Sequence, residues 1–378
     1  MPCPSIASHP TRCDIADVSV AVLHPCRDEI EVVTMPLMTG DRVPEGIDAP
    51  RVDAWLAEHV TQAKPPFRYQ LITGGRSNLT YRVDDASGHR FVLRRPPLGT
   101  LLATAHDVVR EYRIASALAE TPVPVAPALA VCADPAINGT PFAVTGFVDG
   151  IVLDDTTKAE LIPPDDRRRL AFHLVDVLAE LHAVDLDAVG LADLARHDSY
   201  IERQVKRWSK QWAGSKTREL PLITSIEQKL LSALPAQIGA TVVHGDYRFG
   251  NCMSDLKKRE VVAVLDWELC TLGDPLADLG HMGIYWHDEQ RPLPMTNDPT
   301  SAGGFPTFDE LLHRYAAASR RDVSQIQYYR AFAAWRLAII AEGVASRHSA
   351  RHPEDAAALA GSQLAVARLA EFAAAALG

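Results

Sequence analysis

The spacing of apolar residues changes near residue 150. Before it, short apolar runs separated by glycine and proline turns predict strands. Tyr69 to Val83 reads as strand, Gly74-Gly75 turn, strand, and Arg90 to Pro96 as a third strand. Leu129 to Cys132 and Pro141 to Val148 read as a pair closing that sheet. Two helices interrupt the strands. One spans Arg51 to Val60 and stops before Pro65-Pro66; the other spans Ala105 to Leu118, with Val108, Val109, Tyr112, Ala115 and Leu118 apolar. After Gly150 the period becomes helical. Leu170, Leu174, Val177, Leu178 and Leu181 form one stripe, which predicts a long helix. Further helices are expected at about 307–320, 323–348 and 354–377. A chain of 378 residues can bury a large core and is expected to divide into two lobes.

Within the second half, Val242-Val243 and the run Val261 to Leu265 read as two short strands, each followed by a polar loop. The first loop begins His244-Gly245-Asp246 and reaches Asn251. The second begins Asp266-Trp267-Glu268. Two carboxylates and an amide are therefore expected at the ends of adjacent strands. His-x-Asp-x-x-x-x-Asn, then a strand, then Asp, is the spacing of a kinase catalytic loop followed by its metal-binding aspartate. In phosphoryl transfer one carboxylate orients the attacking hydroxyl and accepts its proton. An amide and a second carboxylate hold magnesium.

His244-Gly245-Asp246, Asp266-Trp267-Glu268 and the run from Gly273-Asp274-Pro275 to Asp278-Leu279-Gly280 resemble the aminoglycoside phosphotransferase family of small-molecule kinases. The resemblance covers about residues 50–350 and implies an α+β, bilobal, protein-kinase-like fold. It implies an N-terminal extension at 1–45, a nucleotide-binding lobe at 46–148 with an antiparallel sheet, and a mostly helical lobe at 149–378 that binds the acceptor. ATP and Mg2+ are the implied cofactors. Asp246 is the implied catalytic residue, and Asn251 and Asp266 the metal ligands. Gly75, Arg76, Ser77 and Asn78 belong to the phosphate-covering turn. Arg94 stands where kinases carry a phosphate-binding Lys, with Arg95 as the other register, and Glu111 is its ion-pair candidate. Thr145, Gly146, Phe147 and Val148 are the candidates for the hinge against adenine. Asp274 and Asp278 read as structural carboxylates fastening backbone amides, and His182 as a packed core or capping histidine.

The acceptor is a hydroxyl-bearing small molecule. Val92-Leu93-Arg94-Arg95-Pro96-Pro97 and Trp208-Ser209-Lys210-Gln211-Trp212 also resemble the kinase-like domains associated with acyl-CoA dehydrogenases, which raises a hydroxyacyl-CoA. A cationic aminoglycoside would instead need an acidic pocket, for which Glu268, Asp288, Glu289 and Glu342 are candidates. Residues 199–220 are basic and carry Trp208 and Trp212. They read either as a solvated helix packed by its tryptophans or as an anion-recognition surface. A non-catalytic nucleotide-binding pseudokinase is the alternative of another class.

Net charge is −10, which argues against nucleic-acid binding as the main role. No apolar run reaches membrane-spanning length and no secretory signal is evident. The six cysteines are scattered without a Cys-x-x-Cys pair, so reduced thiols in the cytoplasm are expected.

Overall fold

The structure, a computed structural model, describes residues 22–23, 30–31, 43–73, 78–99, 106–290, 293, 298–352 and 354–378. Residues 1–42 and 43–378 are two units. In the first, β1 (Val22–Leu23) and β2 (Ile30–Glu31) form a short antiparallel pair. The expected extension at 1–45 otherwise lies mostly outside the described residues.

In the second unit, α1 (Ala49–His59) precedes β3 (Arg68–Thr73), β4 (Leu79–Asp84) and β5 (Arg90–Arg95). After α2 (Val108–Leu118) come β6 (Ala128–Cys132), α3 (Pro135–Asn138) and β7 (Phe142–Gly146). The five strands make one antiparallel sheet in the order β3-β4-β5-β7-β6. Strand alternation sorts its faces. Tyr81, Val83, Phe91 and Leu93 are buried with Val52, Trp55 and Leu56 of α1. Arg94, one position out of phase, lies on the opposite face. The helix expected from Ala105 starts at Val108, because the Asp107 side chain caps it by accepting from the Arg110 amide at 3.0 Å.

The rest is mostly helical: α4 (Thr156–Glu160), α5 (Pro164–Ala183), α6 (Tyr200–Ser215), α7 (Pro221–Ser232), α8 (Leu276–Met282), α9 (Phe308–Ser319), α10 (Ile326–Arg351) and α11 (Ala356–Ala376). The apolar stripe of α5 is buried along its length and packs with Ile114 and Leu118 of α2 in one core. The fold is therefore α+β and bilobal. No described helix is long and apolar enough to cross a membrane.

Two short antiparallel pairs sit in the helical lobe. β8 (Thr241–Val243) pairs with β11 (Thr271–Gly273), and β9 (Cys252–Asp255) pairs with β10 (Glu260–Val264). The strands expected to be neighbours, 242–243 and 261–265, thus belong to separate pairs. β9 and β11 escaped the sequence reading because Ser254, Asp255, Thr271 and Gly273 break any apolar run. Asp255 turns the β9–β10 hairpin by accepting from the amides of Lys257 and Lys258 at 2.9 and 3.1 Å. The hairpin is joined to the connector between lobes where the Ile151 amide donates to the Ser254 carbonyl at 2.9 Å and the Val264 amide to Pro124 at 2.8 Å.

Helix α8 packs directly on α10. A methyl group added at Gly280 would stand 2.7 Å from the Tyr329 carbonyl carbon, backbone that cannot swing away. Gly280→Ala should therefore lower unfolding stability by about 1–3 kcal/mol. An unchanged urea midpoint would show that the two helices separate at little cost.

Candidate active site

The loop after β8 is held from below by a carboxylate. Asp278, on the first turn of α8, has no exposed surface. It accepts from the His244 amide at 2.6 Å and the Gly245 amide at 2.7 Å. His182 Nε2 lies 3.3 Å from Asp278, and His182 Nδ1 lies 2.7 Å from the Tyr315 hydroxyl, so this histidine is packed in the core. Burial opposes charge on Asp278, yet the His182 hydrogen bond and the loop amides hold its carboxyl below the ordinary range. Asp274 accepts from the Leu276 amide at 3.0 Å and the Tyr329 hydroxyl at 2.7 Å. Gly245 has φ +87°, and a side chain there would meet the Leu269 carbonyl at 2.8 Å. The turn requires glycine at this position.

This frame presents Asp246. Its Oδ1 accepts from His281 Nε2 at 2.6 Å, with Arg248 Nε 3.4 Å away, and its Oδ2 accepts from Asn251 Nδ2 at 2.7 Å. Burial would raise its pKa. The His281 hydrogen bond and the nearby charge of Arg248 outweigh burial and hold the carboxyl well below the usual range. Asp246 is thus an anion with both oxygens oriented. His244 braces the loop: Nε2 donates to the Leu265 carbonyl at 2.8 Å, and Nδ1 accepts from the Asp246 amide at 3.2 Å.

Asn251 and Asp266 leave the same end of the β9–β10 hairpin, since Cys252 pairs with Val264 and the Leu265 amide donates to the Asn251 carbonyl at 2.8 Å. Asn251 Nδ2 also donates to the Asp246 carbonyl at 2.8 Å, which keeps Oδ1 out of both bonds. Asp266 is left-handed, with φ +65°, a strained state that asparagine and aspartate adopt more readily than most residues. An amide oxygen and a carboxylate at one hairpin end suit magnesium, which takes few protein ligands and fills its shell with water and phosphates.

Across the cleft, Arg94 Nη2 donates to Asp266 Oδ1 at 2.5 Å, and its Nε lies 3.4 Å from Glu111 Oε2. Asn78 Nδ2 donates to Glu111 Oε1 at 2.7 Å. Burial pushes the Glu111 carboxyl up to about 7 despite Arg94, and the nearby charges of Asp266 and Glu268 add to the rise. Arg95 is buried on the other face, donating to the Gly46, Pro96 and Asn138 carbonyls. The register therefore puts Arg94 in the cleft.

Gly75, Arg76 and Ser77 lie outside the described residues. In the expected hinge, the Gly146 amide donates to Pro127 at 2.8 Å and the Phe147 amide to Arg90 at 3.2 Å. The Phe147 ring meets Arg82 and Arg90. The Gly146 and Phe147 amides are thus used within the fold. Thr145 lies in β7, paired with Val92 and Ala128, and Val148 follows the strand half-buried.

Sequence reasoning did not single out His281, Arg336 or Arg248. Arg336 is buried in α10 and donates to the Gly245 carbonyl at 2.7 Å and to His281 Nδ1 at 2.9 Å. An arginine inside the apolar run from Ala331 to Ile340 was the available signal. Arg248 stacks on Tyr285 at 4.9 Å, and beside them lies a recess lined by Phe249, Met282, Trp286 and Pro299.

Of the residues expected to form an acidic pocket, Glu342 is fully buried and accepts from the Thr217 amide at 2.9 Å, and Glu268 lies 3.6 Å from His106. Along α6, Trp212 is buried in the core and Trp208 packs against it. Arg203 pairs with Asp198, and Lys206 with Glu202; past the helix end, Lys216 pairs with Glu219.

Among known proteins, the sequence model of the phosphotransferase enzyme family (APH) matches residues 68–335. Acyl-CoA dehydrogenase family member 10 of Mus musculus is 36% identical over 291 residues, which cover 76% of this chain and 27% of that protein. The chain thus spans about a quarter of that relative's length. A protein of Ralstonia eutropha provisionally named an aminoglycoside phosphotransferase has a crystal structure 31% identical in sequence. The two superpose with TM-score 0.73 over 87% of this chain and 98% of that one. At 13% identity and TM-score 0.56, an aminoglycoside phosphotransferase seen with ADP and hygromycin B shares the fold over 85% of this chain and 98% of its own. With most of its length matched, from the sheet through the middle of α10, the chain belongs to the APH phosphotransferase family.

Proposed function

We propose that this chain transfers the γ-phosphoryl group of ATP to a hydroxyl of a small molecule, with magnesium. The observation that carries the reading is the doubly hydrogen-bonded Asp246 carboxylate beside Asn251 and Asp266, with Arg94 and Glu111 facing them. Residues 46–148 are the nucleotide-binding lobe. Residues 149–378 are the catalytic and acceptor-binding lobe. Asp246 orients the acceptor hydroxyl. As the hydroxyl oxygen bonds to the γ-phosphorus and the bond to the bridging oxygen breaks, Asp246 takes the proton and ADP leaves. Its low basicity means that the proton moves late, when the attacking oxygen has become acidic. Asn251 and Asp266 hold the magnesium, which neutralises phosphate charge when bound. Arg94 contacts phosphates. The roles of Gly75, Arg76, Ser77 and the hinge rest on the family resemblance.

A second reading narrows the acceptor to a hydroxyacyl-CoA. Arg248, whose Nε lies 3.4 Å from Asp246 Oδ1, also edges a small recess with Phe249, Tyr285 and Trp286. A cation held that close to Asp246 favours an anionic group near the acceptor hydroxyl over a polycation. The acyl-CoA dehydrogenase name of the mouse relative supports the same acceptor.

A magnesium-dependent ATP consumption screen across aminoglycosides, amino alcohols and hydroxyacyl-CoA compounds tests both readings. Consumption with none of them, alongside tight ATP binding, would favour a pseudokinase. With a working acceptor, Asp246→Asn should lower turnover by about 10² or more and leave ATP binding largely intact.

Arg94→Ala should weaken ATP binding and leave adenosine binding unchanged, by calorimetry. Arg95→Ala should instead lower stability by roughly 1–3 kcal/mol, because buried carbonyls lose their donor. The reverse pattern would put Arg95 on the phosphates.

Glu111 provides a pH prediction. Its carboxyl titrates at about 7 in the fold against an ordinary 4.5. Between those values the folded chain binds a proton that the unfolded chain has lost, so stability falls as pH rises. Glu111→Gln removes this loss. Near pH 8 the nucleotide-free variant should be more stable than the parent by roughly 1–3 kcal/mol, and the gap should shrink toward about pH 5. A gap independent of pH would show that Glu111 carries no unfavourable buried charge.

A further inference from the structure

His281, at the end of α8, is 1% exposed, and its two ring nitrogens face partners of opposite kind. Nε2 is 2.6 Å from Asp246 Oδ1, and an ionised carboxylate only accepts. Nδ1 is 2.9 Å from Arg336 Nη2, and a guanidinium only donates. The same Nη2 donates to the Gly245 carbonyl at 2.7 Å, so the catalytic loop itself fixes where Arg336 stands. One state of the ring satisfies both neighbours, with the proton on Nε2 and the lone pair on Nδ1.

The other groups around the ring agree with that state. The Tyr285 ring lies 5.2 Å away, and burial pushes its hydroxyl up to about 12, so it carries no charge. Burial and the Arg336 charge hold the imidazole below its ordinary pKa, against the pull of Asp246 and Asp278.

We propose that His281 is a positioning residue for phosphoryl transfer, a permanent Nε2–H donor that aims the Asp246 carboxylate, and that Arg336 keeps the proton on that nitrogen. The proposal rests on Asp246 being the group that takes the hydroxyl proton. It also excludes a relay. Nε2 is already protonated and Nδ1 faces a cation, so the proton taken by Asp246 cannot pass on to His281 and returns to solvent from the carboxylate.

The test has two arms. In the first, the nucleotide-free protein is labelled with 15N-histidine, and long-range proton–nitrogen correlations are recorded from about pH 5.5 to 8.5, spanning the ordinary histidine pKa. The ring whose signals vanish in H281Q should show the Nε2–H tautomer throughout. An Nδ1–H tautomer, or a ring that titrates in this range, overturns the proposal.

The second arm measures magnesium-dependent ATP hydrolysis, with water as acceptor. H281L should lose about tenfold or more in kcat with little change in the KM for ATP. In H281Q the amide can donate to Asp246 and accept from Arg336, and it should recover most of that loss. Equal losses in the two variants would mean that His281 only fills space and would overturn the positioning role. A parent protein that turns over no ATP with any acceptor would sink the phosphotransfer reading and the kinetic role together. The tautomer spectrum stands or falls independently of it.

Discussion

A buried carboxylate organises the catalytic side of this chain. Asp278 gives both oxygens to the backbone amides of His244 and Gly245. An ionised side chain with no exposed surface is costly unless fully hydrogen-bonded. Two amide donors and His182 meet that need and keep the group ionised. The arrangement is reciprocal. A loop with a positive-φ glycine needs an acceptor for its consecutive amides, and the carboxylate needs donors. The first turn of α8 supplies the carboxylate at a fixed height under β8. His281, three residues on, reaches Asp246 from the same helix, so α8 both supports the loop and touches its functional end.

The charge balance differs on the two sides of the cleft. Toward the nucleotide, Arg94 serves both Asp266 and Glu111, and Glu268 adds a further negative field. One guanidinium does not balance these carboxylates; burial raises the pKa of Glu111 most, and the charges of Asp266 and Glu268 raise it further. A polyanionic phosphate chain would be repelled by such a cluster unless a divalent cation came with it. For the proposed reaction this would be a physical reason to bind ATP as its magnesium complex. Around Asp246 the balance is reversed. Arg248 and Arg336 stand close to the Asp246 carboxylate, and His281 adds a donor without adding charge.

The catalytic loop was legible because its chemistry lies in contiguous residues. His244, Asp246, Asn251 and Asp266 keep a spacing that short strands enforce, and the structure gathers them at one place. The sheet was legible because strand alternation and glycine turns mark it. Arg94 and Arg95 could not be told apart from sequence, since a one-residue shift exchanges the faces of a strand; the burial of Phe91 and Leu93 with α1 decides the matter. β9 and β11 were invisible because a strand of three or four residues with polar members has no periodicity to read. Arg336 was missed for another reason. Its partners lie 91 and 55 residues away in the chain, and only the packing of α10 on α8 brings them together.

The same long-range packing bears on the acceptor. The basic helix α6 invited an anion-binding reading, yet its tryptophans are committed to the core and two of its cations, Arg203 and Lys206, to neighbouring carboxylates. Paired surface cations attract an external anion weakly and are screened by salt. Arg248 is better placed. It is two residues past Asp246, and its guanidinium is held by Tyr285 stacking at 4.9 Å and by the catalytic carboxylate at 3.4 Å. In the proposed reaction, a cation fixed that close to Asp246 would favour an acceptor with negative charge near its hydroxyl and disfavour a polycation at the same point. If Asp246 takes the acceptor's proton as proposed, selectivity among acceptors would follow from the fixed charge of Arg248 rather than from α6.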